Sequence, residues 1–310
     1  MSEENNERGV LERVLLANIN EQRRTRRWGI FFKSLWFIFL FALLVLVAQR
    51  EDGEFATGPH TALIELQGEI GGQDGVRADD MIAALGSAFA DKKTLAVVLR
   101  CNSPGGSPVQ AGQIYDEIRR LRGEHPKIPV YAVIDDICAS GGYYVIAAAD
   151  RIYVDKASLV GSIGVLMDGF GFTGAMGKLG IERRLLTAGV NKGFLDPFSP
   201  VEPKQEAHAK AMLEEIHGQF IQVVRQGRGK RLKETGDMFS GLVWSGAASI
   251  DLGLADGIGS LDYVAREVVK AENIVDFTPK ENLADRLARR IGTAVGSTLR
   301  PWLESRVRLH

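Results

Sequence analysis

Short apolar runs alternate with amphipathic segments from Thr61 to Ala271. Apolar runs rich in β-branched residues predict buried strands. These runs are Thr61–Leu66, Leu95–Leu99, Val130–Ile134, Arg151–Val154 and Arg183–Thr187. A helical period predicts helices at Ala78–Ala90, Val109–Arg122, Pro203–Arg225 and Leu261–Ala271. Because apolar strands that alternate with helices are typical of a buried sheet, we expect an α/β domain.

The N-terminal region has a different pattern. A polar tail at residues 1–27 ends in a basic cluster that includes Arg26 and Arg27, and an apolar run occupies residues 28–48. About 20 apolar residues are needed for a helix to cross a bilayer, and basic residues mark its cytoplasmic side. A cleaved signal peptide is the alternative, but the basic region is long and Leu46 disrupts the cleavage-site pattern. We predict a single-pass anchor in the inner (cytoplasmic) membrane, with a cytoplasmic N-terminus and an extracytoplasmic, periplasmic domain.

Two further segments flank the predicted domain at residues 61–275. Residues 49–60 are charged and contain glycine and proline, so they are interpreted as a linker. Residues 276–310 form a basic amphipathic segment, with Leu283 and Leu287 on one face of the predicted helix. Such a helix can lie on an anionic membrane or pack on a neighbouring subunit, and a solvated terminal helix is the equal alternative.

The composition of the chain is that of a globular protein. The 310 residues include 38 basic and 39 acidic residues, and 45% are hydrophobic. A net charge of −1 provides no long-range attraction to DNA or RNA, so we expect no nucleic-acid partner. The two cysteines, Cys101 and Cys138, lie at the ends of predicted strands and are interpreted as buried free thiols. A disulfide requires that the two strand ends be neighbours.

A serine lies at one junction between a strand and a helix. Ser140 follows the predicted strand Val130–Ile134 and precedes Gly141, Gly142 and a small apolar helix. The glycines permit a sharp turn, and the helix N-terminus offers unpaired N–H groups. Ser140 is therefore a candidate nucleophile. The alternative is an ordinary N-cap serine.

A second junction of the same kind follows the predicted strand Leu95–Leu99. Gly105 and Gly106 allow a backbone N–H to point into an open cleft, as an oxyanion hole requires. Ser107 and Pro108 are suited to the N-cap and first position of the next helix. A glycine-rich turn without function is the alternative, and the Ser140 junction favours the catalytic interpretation.

A nucleophilic serine requires a base, and the histidines do not supply an obvious one. None of the five histidines follows a predicted strand end, and the residues form no metal-ligand motif. A lysine is the remaining option, but it must be neutral to accept a proton. Periodicity alone does not identify this lysine.

Several segments, in this order, resemble the SppA family of signal peptide peptidases, which are S49-type Ser–Lys proteases. The resemblance spans about residues 60–270. The segments are Asn102–Ser107, Ala139–Tyr144, Val160–Val165, Val243–Gly246 and Leu252–Gly257. The resemblance implies a serine peptidase with a ClpP/crotonase-like fold of repeated β-β-α units.

The resemblance also implies roles for individual residues. Ser140 corresponds to the nucleophile, and Lys192 corresponds to the general base. Ser162 resembles the serine that holds this lysine in place. The backbone N–H groups of Gly106 and Gly141 would form the oxyanion hole.

The implied function is degradation of cleaved signal peptides at the membrane by a homo-oligomeric ring, with no cofactor and no metal. The anchor would bring the enzyme to membrane lipid, where apolar peptides partition. Three alternatives remain: a general quality-control protease of the cell envelope, a non-catalytic membrane scaffold, and acyl-CoA chemistry on the same fold.

Overall fold

The computed structural model describes residues 23–24, 26–43, 58–72 and 75–279, which belong to two units, Met1–Phe55 and Ala56–His310. In the first unit, residues 26–43 are helical and carry exposed apolar side chains. No helix among the described residues combines the length and hydropathy needed to span a bilayer. Residues 44–48 of the predicted anchor lie outside the described residues, as do residues 1–22, most of the linker and residues 280–310. The anchor, the tail, the linker and the C-terminal helix stay predictions.

The second unit contains an eight-stranded sheet. Its strands are β1 (His60–Gln67), β2 (Thr94–Ser103), β3 (Val130–Ala139), β4 (Arg151–Val154), β5 (Leu159–Gly161), β6 (Val243–Ser245), β7 (Gly257–Ile258) and β8 (Ile274–Asp276). The main path runs β6-β5-β3-β2-β1-β8, and β4 pairs with β3 and β7 beside this path. All of these pairs are parallel except β5 with β6. A largely parallel α/β sheet was predicted, and it is confirmed.

Helices cover both faces of the sheet. The helices of this unit are α1 (Ala78–Ala90), α2 (Pro108–Glu124), α3 (Gly141–Ile146), α4 (Thr173–Leu179), α5 (Pro203–Arg228), α6 (Gly246–Asp251) and α7 (Leu261–Tyr263), which continues as a π-helical turn at Val264–Val269. Helix α4 buries none of its residues. Successive strand residues point to opposite faces. Val97 and Leu99 accordingly join the larger core with α1, α2, α3 and α5, whereas Val98 packs with Val264 in a smaller core.

Strand β3 changes partner along its length. Its first half, Tyr131–Ile134, pairs with β4, and its last residues, Ile137–Ala139, pair with β5. The register with β2 also shifts, because Cys101 lies opposite Ile134 whereas Ser103 lies opposite Cys138. Such a bulge bends a strand and redirects the residues that follow it. The bend delivers the end of β3 to the start of α3.

The prediction of two free thiols was wrong. Cys101 and Cys138 form a disulfide with a Cα–Cα distance of 5.7 Å. Strands β2 and β3 pair directly, so the two cysteines are neighbours although 37 positions separate them in the chain. Closing a loop of this length lowers the entropy of the unfolded chain and stabilises the fold by about 4 kcal/mol.

Two local predictions also require correction. Arg183–Thr187 is not a strand but part of an exposed, irregular connection between α4 and α5. His60, predicted to lie in the linker, is the first residue of β1; it is buried and lies 3.2 Å from Thr94 Oγ1. The other predicted elements are confirmed, although β2, β3 and α5 extend beyond their predicted ends.

Two glycines of α5 provide a test of how closely this helix packs. A Cβ added at Gly227 would lie 1.9 Å from the carbonyl oxygen of Ala147, next to α3, whereas a Cβ at Gly218 would contact nothing within 4 Å. We expect Gly227→Ala to destabilise the protein by at least about 2 kcal/mol through overpacking. Gly218→Ala should stabilise it by up to about 1 kcal/mol, since alanine is the better helix former. Denaturant unfolding measures the free energy of unfolding of both variants. Equal changes in the two variants would contradict the close approach of α5 to α3.

Candidate active site

Ser140 occupies a strained turn between β3 and α3. Its φ is 50° and its ψ is −125°, a conformation that side-chain-bearing residues rarely adopt. The Ser140 N–H donates to the carbonyl oxygen of Gly161 at 2.8 Å, at the end of β5. The side chain is half-buried. The turn therefore directs Ser140 away from the strand while the backbone stays fixed to the sheet.

The hydroxyl of Ser140 does not cap α3. Ser140 holds the N-cap position, but its side chain accepts no capping hydrogen bond. Ser107, by contrast, caps α2 and accepts from the Gln110 N–H, as predicted. The interpretation of Ser140 as an ordinary N-cap is therefore not supported, and its Oγ is free to react.

The turn at Gly105 and Gly106 lies against Ser140. Both glycines have positive φ, 108° and 139°. A Cβ added at Gly105 would lie 2.7 Å from the Ser140 Cβ and 2.8 Å from the Gly141 nitrogen. Only glycine fits at this position without displacing the nucleophile.

Two backbone N–H groups lie close together next to Ser140. A Cβ added at Gly141 would lie 3.3 Å from the Gly106 nitrogen, so the two peptide backbones are adjacent. Within the described residues, neither the Gly106 N–H nor the Gly141 N–H has a hydrogen-bond acceptor. Paired, fixed N–H donors beside a nucleophile can stabilise the oxyanion of a tetrahedral intermediate.

Residues that sequence reasoning missed hold this turn in place. The buried Ser103 donates from Oγ to the Gly68 carbonyl at 2.6 Å and accepts from the Gly105 N–H at 3.2 Å. Ile70 accepts from the Ser107 N–H and donates to the Gly105 carbonyl, each at 2.8 Å. In the sequence, only its position beside the glycine-rich motif could have marked Ser103. The loop that contains Ile70 shows no sequence pattern that would predict its role.

Ser162 lies directly beside Ser140. Ala139 pairs with Gly161 in the β3–β5 register, so Ser140 and Ser162 follow on neighbouring strands. Ser162 has a φ of 49°, and its N–H donates to the Leu242 carbonyl. Its Oγ has no hydrogen bond within the described residues and is available for a role in the site.

Among the described residues, no hydrogen bond joins the side chains of Lys192 and Ser140. Lys192 lies on an exposed arm, which we define as residues 164–202, between β5 and α5. Its side chain is exposed, and its ammonium group makes no hydrogen bond or ion pair with the described residues. The arm folds on itself: Phe172 stacks on Phe198 with ring centroids 5.4 Å apart.

Tyr143 anchors the helix that follows the nucleophile. It is fully buried in α3, and its hydroxyl donates to the Leu254 carbonyl at 2.8 Å. Burial is the main cause that raises the pKa of Tyr143 above its usual range. The phenol therefore stays neutral and keeps its donor at all physiological pH values.

No described histidine has a hydrogen bond to Ser140. His217 lies 3.1 Å from the Ile163 carbonyl oxygen and is half-buried. His208 is exposed and packs against Phe194. The part of the chain that the structure describes also contains no cluster of potential metal ligands.

The chain is similar in sequence to known peptidases. The model described as peptidase family S49 matches residues 123–275. A Methanocaldococcus jannaschii protein, provisionally named a protease, is 31% identical over 219 residues, or 67% of this chain and 70% of that protein. An Enterococcus faecium protein, provisionally named signal peptide peptidase SppA, is 27% identical over 188 residues, or 61% of this chain and 54% of that protein.

A higher identity occurs with a longer protein. A Brucella melitensis protein named as the Na(+)/H(+) antiporter NhaA is 42% identical over 214 residues, or 69% of this chain. This chain spans only 29% of the length of that protein. The name therefore describes the Brucella protein and not this chain.

The fit of the glycine turn against Ser140 can be tested with a serine-reactive fluorophosphonate probe. Gly105→Ala would place a methyl group against the Ser140 Cβ at an unfavourable φ. We expect the rate of labelling to fall at least about 100-fold, as when an oxyanion donor is lost. Gly123→Ala, on the exposed face of α2 with nothing within 4 Å, is the control and should label at the wild-type rate. Unchanged labelling of Gly105→Ala would contradict the proximity of the two turns.

Proposed function

Because the chain belongs to peptidase family S49, a family of serine peptidases, we propose that it is an endopeptidase with Ser140 as nucleophile and Lys192 as general base. One observation carries this proposal: the strained, uncapped Ser140 lies beside the unpaired N–H groups of Gly106 and Gly141. Acyl transfer requires a nucleophile with oxyanion donors beside it, and strained backbone conformations cluster at functional sites.

In the proposed reaction, Ser140 Oγ attacks the carbonyl carbon of the scissile peptide while neutral Lys192 Nζ accepts the hydroxyl proton. The oxyanion of the tetrahedral intermediate accepts hydrogen bonds from the Gly106 and Gly141 N–H groups. The protonated lysine then returns the proton to the leaving amine as the C–N bond breaks. Water, deprotonated by the same lysine, hydrolyses the acyl-enzyme and restores Ser140.

A general base such as Lys192 works best when it is shielded from water. The arm that carries it exposes large apolar side chains, and covering them would remove water from Lys192. These side chains are Leu166, Phe170, Leu179, Ile181, Leu186 and Val190. A neighbouring copy of the chain in a homo-oligomeric ring is the proposed cover, and Ser162 is the proposed partner that then orients the lysine.

The proposed substrates are released signal peptides, which are apolar and concentrate at a membrane. The similarity to a protein provisionally named signal peptide peptidase supports this substrate class. A quality-control protease would use the same residues but would act on unfolded proteins, so substrate choice distinguishes the two.

We propose a membrane-anchored enzyme with its catalytic domain outside the cytoplasm. The exposed apolar side chains of the helix at residues 26–43, which follow Arg23 and Arg24, support the anchor and its orientation. The Cys101–Cys138 disulfide supports an oxidising compartment, where such bonds persist.

Substitutions at the two proposed catalytic residues test the dyad. Ser140→Ala and Lys192→Met should each lower kcat/KM on a fluorogenic, leucine- and alanine-rich peptide by at least about 1,000-fold, since each removes a group essential to acyl transfer. Lys192→Arg should be equally inactive, because a guanidinium does not deprotonate. Lys178→Met, an exposed lysine of α4 on the same arm, is the matched control and should retain wild-type activity.

The outcomes separate the candidate functions. Activity in Lys192→Met would reject the lysine base. Labelling of Ser140 by a fluorophosphonate without turnover of any peptide would favour a scaffold. Faster cleavage of a permanently unfolded protein than of the signal-peptide mimic would favour quality control.

A further inference from the structure

The disulfide lies directly beneath the candidate active site. Cys138 immediately precedes Ala139 and Ser140 at the end of β3, and Cys101 begins the stretch of β2 that leads to Gly106. Each half of the proposed oxyanion hole therefore extends from one of the two cross-linked strands. Both cysteines are completely buried.

The disulfide also spans the point where the β2–β3 ladder is irregular. Cys101 lies opposite Ile134, but Ser103 lies opposite Cys138, so the residues between Ile134 and Cys138 bulge out of β3. A bulge interrupts the hydrogen bonds that otherwise fix two strands. The disulfide connects Cys101, which precedes the irregularity on β2, with Cys138, which follows it on β3.

The site beyond the bulge needs such a connection. Ser140 is held at a φ of 50° and its Cβ lies close to Gly105, so the strained turn persists only if its surroundings fix it. An oxyanion hole must also hold its donors within about 0.5 Å of the productive geometry. The β2–β3 distance at this level sets the separation of the Gly106 and Gly141 N–H groups.

We propose that Cys101 and Cys138 are positioning residues, whose disulfide fixes the nucleophile turn against the oxyanion turn and is required for full turnover. This inference rests on the proposed function. The bond forms when the two thiols lose two protons and two electrons to an exogenous disulfide, which is reduced to two thiols. A newly made chain would thus acquire full activity only in an oxidising compartment. Because both sulfurs are buried, external reductant does not reach the disulfide in the folded protein.

The test compares the double variant Cys101→Ala/Cys138→Ala with wild type on the fluorogenic peptide. We expect kcat to fall about 10- to 100-fold, as a small misplacement of reacting groups causes, with KM changed less than about threefold. The control is Val97→Ala/Val130→Ala, which truncates buried register partners of the same strands at the end far from Ser140. The control should lower the melting temperature yet keep kcat within about twofold of wild type. A disulfide that only stabilises the fold would make both variants behave alike.

A second measurement uses the wild-type chain. Protein unfolded and refolded in dithiothreitol should show the same loss of kcat as the double variant, and reoxidation with oxidised glutathione should restore it. Equal kcat of the oxidised and reduced forms, or of the folded double variant and wild type, would overturn the inference. Oxidised wild type that neither cleaves the peptide nor reacts with a fluorophosphonate would reject the proposed function instead.

Discussion

The backbone at Ser140 is held at positive φ by contacts from both sides, and this constraint organises the site. Its N–H is fixed to the Gly161 carbonyl of β5, and its Cβ faces the Gly105 peptide. Such a conformation costs about 1–3 kcal/mol, which the surrounding contacts must offset. The change of partner along β3, from β4 to β5, creates the arrangement, because it bends the strand just before the nucleophile.

The residues around this turn follow from the same constraint. Gly105 is required because any side chain would occupy the position of Ser140, and Gly106 because a Cβ would lie 2.2 Å from the Ile70 carbonyl oxygen. The buried Ser103 satisfies both the Gly68 carbonyl and the Gly105 N–H, so these two polar groups of an irregular turn are paired. The Gly106 and Gly141 N–H groups stay free because the carbonyl groups around them accept hydrogen bonds from other donors.

Features set by local sequence were predictable, and those set by tertiary pairing were not. Helix α1 and strand β4 match their predicted bounds, and Ser107 caps α2 as expected, because periodicity and capping depend on adjacent residues. Strand β3 was predicted to end at Ile134, where the apolar run ends. It continues because Arg100 pairs with Asp135 at 2.7 Å and the Ser158 hydroxyl donates to the Asp135 carbonyl. The disulfide likewise depends on which strands are neighbours, which one sequence does not reveal.

The candidate site consists of a fixed part and an exposed part. The nucleophile and the N–H donors are held by the sheet, whereas Lys192 lies on an arm whose apolar surface faces water. Under the proposed mechanism, the isolated chain keeps its nucleophile preorganised while the arm leaves the proposed base in water. Covering the arm would both desolvate Lys192 and complete the site, so hydrolysis would depend on assembly rather than on any rearrangement around Ser140. If the proposed assembly at the membrane is correct, this division of the site restricts proteolysis to the assembled enzyme.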